Sequence, residues 1–124
     1  MSTIVDALEK IERKLSGEHG AFTLFALFER DDIPFRWDLV VAAPWVEQDN
    51  ESAMKLLAGE LKTYLPKNEL ERISRIVLLD ASADSVRALT SEHSVEHGRI
   101  EIDEGSLYGL PAEHGYLITS RRAA

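Results

Sequence analysis

The chain has no cysteine in its 124 residues, which removes disulfides, thiolate metal sites and cysteine nucleophiles and fits a reducing compartment. It also lacks a run of about 18 apolar residues, the least that spans a membrane as a helix. Its first residues alternate apolar and charged side chains, whereas a secretory signal would be basic and then continuously apolar. A cytoplasmic location away from membranes is the expectation. Clustered basic residues are missing as well: 14 Lys and Arg stand against 22 Asp and Glu, for a net charge of −8. Nucleic-acid binding needs grouped cations to displace condensed counterions, so that class is excluded. Between Ser91 and His114 the sole base is Arg99, against Glu92, Glu96, Glu101, Asp103, Glu104 and Glu113. This acidic third reads as a solvated surface. Phosphate-loop and dinucleotide glycine patterns and a nucleophile elbow are also absent. The glycines of Gly105-Ser106-Leu107-Tyr108-Gly109 do not join a strand to a capped helix. No cofactor is expected.

What is present is enough apolar sequence for one domain over 1–124, a length that buries roughly two-thirds of the unfolded surface. Ser2 or Thr3 can cap a first helix in which Ile4, Leu8, Ile11 and Leu15 share a face, with Gly17 placed to end it. Asp6 with Lys10 and Glu9 with Arg13 are acid-before-base pairs on its outer face. In 21–29 both alternating sets are apolar, which marks a central strand. Asp31-Asp32-Ile33-Pro34 turns the chain into a second strand carrying Phe35, Trp37, Leu39 and Val41 on one face. Pro44 ends that strand. Asp49 or Asn50 then opens a helix to about Leu65 with an apolar stripe of Met54, Leu57, Ala58, Leu61, Tyr64 and Leu65. Ile73 to Leu79 suits a buried strand, and Ser82 can cap a brief helix with Val86 and Leu89. Arg99 to Ile102 and Tyr116 to Ser120 read as strands, separated by Asp103-Glu104-Gly105 and the stretch through Pro111. The fold class expected is α+β: one mixed, largely antiparallel sheet of about five strands, packed against a single layer of two to three helices, in the order α-β-β-α-β-α-β-β.

Each of the four histidines follows a glutamate, and three lie in Glu-His-Gly tripeptides at 18–20, 96–98 and 113–115. Each stands before a strand, so they read as polar corners whose glycine is free to take φ > 0. If the last two strands form an antiparallel hairpin, their starts lie a strand length apart, so the corners do not share a metal. His93-Ser94-Val95-Glu96-His97 matches the inverted zinc-protease pattern H-x-x-E-H, which needs both histidines on one helical face. The serines and threonine around it favour no helix, and extended backbone would part the histidines by roughly 13 Å. No metal site is assigned.

Three functions of different class remain. The leading one is a non-enzymatic protein-interaction module, self-associating as a homodimer through a terminal edge strand: Tyr116 and Ile118 in the contact, Arg121 and Arg122 reaching across to acidic residues. The alternative is a protein that binds a small apolar ligand between the sheet and the second long helix, near Trp37, Asp38, Trp45 and Met54. Trp45 either touches that ligand or caps the end of the core. Asp38 is expected to pair with Arg36 or Arg75. A metal-dependent hydrolase using Glu92, His93, Glu96 and His97 comes third.

Overall fold

The computed structural model describes residues 2–30, 36–103 and 112–121. The turn at 31–34, Phe35, the loop from Glu104 through Pro111 and Arg122 lie outside these residues, as do the side chains of the cap candidates Ser2 and Thr3. The first helix, α1 (Ser2–His19), buries Ile4, Val5, Leu8, Ile11 and Leu15. It runs straight through Gly17 and ends at Gly20, whose φ of 127° a side chain would strain. The Gly20 N–H closes the last turn on the Ser16 carbonyl at 3.1 Å.

Strands β1 (Leu24–Arg30) and β2 (Trp37–Ala42) form the expected antiparallel hairpin, with Leu27 opposite Leu39. A short helix, α2 (Pro44–Gln48), uses Pro44 at its start, where a missing N–H costs nothing. It leads into α3 (Asn50–Tyr64). Asp49 caps α3 by accepting from the Ser52 N–H at 3.1 Å and the Ser52 hydroxyl at 2.8 Å. These bonds hold the Asp49 carboxyl below its ordinary pKa. Ala53, Leu57, Leu61 and Leu65 are buried, whereas Met54, expected in the core, is 37% exposed. The turn α4 (Lys67–Leu70) then delivers β3 (Ile73–Leu78), α5 (Asp84–Glu92), β4 (Ile100–Asp103) and β5 (Ala112–Ser120).

Among the described residues the result is an α+β fold with a five-stranded mixed sheet and five helices, in the strand order β3-β2-β1-β5-β4. Only the β2–β3 pairing is parallel among the described residues. The short helices α2 and α4 raise the expected two to three helices to five among the described residues, and two further features differ from the sequence reading. First, helices cover both faces of the sheet. Phe25, Leu27, Leu39, Val41 and Ile118 pack with α1 and α3, while Leu24, Ala26, Phe28, Val40 and Leu117 pack with Val86 and Leu89 of α5. Both alternating sets of β1 are apolar because each set has its own helical layer. Second, β5 is not an edge. It lies between β1 and β4, pairs antiparallel with both, and its residues Leu117 to Ser120 are all buried. The edges are β3 and β4.

Candidate functional site

Among the described residues no strand pairs with the outer side of β3. Its burial pattern rises from exposed Ser74 and Arg75 to half-buried Ile76, Val77 and Leu78, and Leu79 beyond the strand is also half-buried. Ser74 is the extra residue of a bulge, since Ile73 pairs with Trp37 and Arg75 with Asp38. From Arg75 onward the ladder is regular. The Leu79 N–H donates to Val41 at 2.9 Å, and the alternation of a parallel ladder then turns the N–H and C=O of Ile76 and Leu78 outward, away from β2. Beside this edge runs a groove of about 450 Å³ between α3 and β3. Met54, Leu61, Leu70 and Ile76 make its apolar wall, with Lys62 and Arg75 at its rim.

β4, the other edge, is short and carries exposed Glu101. Short length and charge are the usual protection against strand addition. β3 instead offers three consecutive aliphatic residues, Ile76 to Leu78, with Leu79 just beyond its end.

The residues expected from sequence to bind a ligand do not converge on this groove, and only Met54 lines it. Trp37 is 3% exposed and sits in an aromatic group with His114 (6.0 Å between ring centroids) and Tyr116 (5.9 Å). Asp38 points to the opposite face. It accepts from Arg75 Nε at 2.9 Å, and Arg30 Nη1 stands 4.0 Å away. Arg36, the other candidate partner, donates to the Glu71 carbonyl. Trp45 stacks on His19 at 4.9 Å and 25°, touches Phe22 edge-on and donates Nε1–H to the Gly20 carbonyl at 3.0 Å. It fastens the end of α1 to the start of α2, which is the packing role. Of the interface candidates, Tyr116 and Ile118 lie inside the sheet. Burial and Glu101 push the Tyr116 phenol above its ordinary pKa. Arg121 pairs with Glu96 of its own chain at 3.3 Å.

The zinc-protease pattern does not form its helical face. His93 ends α5 in extended backbone, and His97 adopts φ 52°. No group of three or more potential metal ligands occurs among the described residues. His97 instead belongs to a cluster that the sequence reading missed. Glu12, fully buried on the inner face of α1, lies with Oε1 2.6 Å from His97 Nδ1 and accepts from the Thr119 hydroxyl at 2.9 Å. Thr119 in turn accepts from the His97 N–H at 3.2 Å, and Arg13 donates to the His97 carbonyl at 3.0 Å. Arg99 bridges Asp6 and Glu9, and these hydrogen bonds, Glu9 first, raise its pKa. The one signal in sequence was a glutamate at position 12 beside Ile11 on an otherwise apolar stripe.

The Glu-His-Gly tripeptides therefore have three different roles. At 18–20 the glycine takes the positive φ, at 96–98 the histidine takes it, and at 113–115 the tripeptide lies within β5. A Cβ on Gly115 would fall 2.5 Å from Phe28 Cδ1 and 3.0 Å from the Leu27 carbonyl. Glycine is required there for close approach, not for a turn.

No family model, curated protein or solved structure matches this chain.

Proposed function

We propose that this protein is a non-catalytic protein-interaction module whose working surface is the β3 edge and its groove against α3. An extended segment adds to the sheet beside β3. Its backbone pairs with the outward groups of Ile76 and Leu78, and alternate side chains lie over Met54 and Leu70. The observation that supports this reading is the half-buried aliphatic run Ile76-Val77-Leu78-Leu79 along a sheet edge that no other strand pairs among the described residues. Such an edge invites strand addition unless a partner occupies it. In the same reading the protein works in the cytoplasm without a cofactor, and its net charge of −8 keeps it from nucleic acid.

The test uses a fluorescein-labelled heptapeptide of alternating valine and threonine, with polarisation read at submicromolar protein. Leu78→Pro deletes one outward N–H while leaving the N–H groups that face β2. Saturable binding weakened in Leu78→Pro supports the reading. Absence of binding together with a wholly monomeric protein overturns it.

A second reading, a small amphiphile with its apolar body in the groove and its anionic head at Lys62 and Arg75, rests on the mixed lining of that groove. An anionic naphthalene dye whose fluorescence rises with the protein, but not with Ala58→Phe, would favour it.

A further inference from the structure

We infer that the segment taken by the β3 edge is β3 of a second copy of this chain, paired antiparallel about a two-fold axis at Val77. This inference rests on the β3-edge reading and names its partner. In that register Val77 faces the partner's Val77, and Ile76 faces the partner's Leu78 twice over. Pairs that sum to the same number keep like faces together in an antiparallel ladder. Ile76 and Leu78 both belong to the α1 and α3 face, and Val77 belongs to the α5 face. The joined strands therefore extend both apolar layers, and the outward N–H and C=O groups of Ile76 meet those of the partner's Leu78. Two five-stranded sheets become one continuous sheet.

Charge selects this partner over a foreign strand. The strand begins beside Arg72 and Arg75 and ends beside Asp80 and Asp84, all exposed. Among the described residues Arg72, Asp80 and Asp84 have no side-chain ion pair. Antiparallel pairing about Val77 brings the basic start of each copy to the acidic end of the other, so the edge is complementary to itself. A two-fold contact demands this kind of self-complementarity. The β4 edge fails the same requirement, because doubling it would set Glu101 against another acidic strand. The bulge at Ser74 marks where regular pairing stops, leaving the Arg72 side chain beyond it to reach across.

The experiment is sedimentation velocity on the full chain across the micromolar range, with Arg72→Glu, Asp80→Lys and their equimolar mixture. Both substitutions lie on exposed side chains that the fold does not use. The wild type is expected to sediment as a dimer. Each variant alone faces like charges across the axis and should dimerise several-fold more weakly. The mixture restores both unlike contacts and should recover wild-type association as a heterodimer. Leu78→Pro should be monomeric, with a circular dichroism spectrum like that of the wild type. A dimer indifferent to the charge reversals and to Leu78→Pro overturns pairing through β3. A wild-type monomer that binds the heptapeptide overturns self-pairing and leaves the edge reading standing. A monomer that binds no peptide overturns both.

Discussion

The carboxylate of Glu12 and the imidazole of His97, 85 residues apart in sequence, meet with Oε1 2.6 Å from Nδ1. Their contact ties the outer end of the sheet to the buried face of α1. Glu12 is wholly enclosed while the His97 side chain is 41% exposed, so the cost of losing the pair is unequal. His97→Ala leaves the buried Glu12 carboxyl with Thr119 alone and should lower stability by about 1 to 3 kcal/mol in urea unfolding, the cost of stripping a partner from a buried polar group. Thr119→Val removes a hydroxyl that both donates and accepts, and should cost about 1 to 3 kcal/mol. The double variant should cost less than the sum, since both partners serve one carboxylate. Strict additivity would show that they do not act as a unit.

Gly115→Ala should destabilise by about 1 to 3 kcal/mol, because the new methyl meets the Phe28 ring and cannot move away from the Leu27 carbonyl. In Phe28→Ala the ring is gone, so Gly115→Ala made in that background should cost clearly less than in the wild type. Equal penalties in both backgrounds would place the clash elsewhere.

Leu61→Ala removes a side chain 3% exposed between α3 and the sheet, and should cost about 2 to 5 kcal/mol through lost burial and a residual cavity. Met54→Ala, on the same helix but at the groove, should stay within about 0.5 kcal/mol. Denaturant melts of the two variants give the comparison directly. A small loss at Leu61 would contradict the assigned core.

The Asp49 cap sets a pH dependence. Its carboxyl has a folded pKa below the ordinary 3.8, so the stability it contributes is fully present above that value and is lost as pH falls through the lowered folded value. Asp49→Ala should therefore melt at a lower temperature than wild type at pH 7, and the gap should close in strong acid. A gap that persists unchanged at pH 2 would mean that the ionised cap is not its source.

Stoichiometric Zn²⁺ should leave the melting temperature unchanged, because His93 and His97 do not share a helical face. A metal present at 100 times its dissociation constant would add about 2.7 kcal/mol. An upward shift abolished by His93→Ala and His97→Ala together would revive a metal-dependent hydrolase.

The long helices and the β1–β2 hairpin were legible because their signals are local. A stripe at 3.6-residue spacing from Met54 to Leu65, a cap at Asp49 or Asn50 and Pro66 after the last turn are all properties of consecutive residues, although the buried face turns out to take Ala53 and leave Met54 and Tyr64 exposed. The charge pairs of α1 were misread for the opposite reason. Asp6 and Glu9 can reach Lys10 and Arg13 along the helix, but the structure brings Arg99 to both acids and turns Arg13 to His97. Pairs within a helix stabilise it by only a few tenths of a kcal/mol, so a longer-range partner displaces them readily.

The sequence by itself determined the three longer helices and the five strands, though not the short helices α2 and α4, since backbone periodicity, caps and turns act over a few residues. The two apolar sets of β1 were legible too, but a helical layer on each face was not, since a single layer was expected. Tertiary structure alone decided that β5 threads between β1 and β4, that β3 is left open, and that Gly115 makes room for Phe28. Strand order is set by which apolar faces fit together after the chain closes on itself. Every apolar strand carries the same outward-pointing N–H and C=O groups, so nothing written along β3 or β5 marks which of them will lack a neighbour.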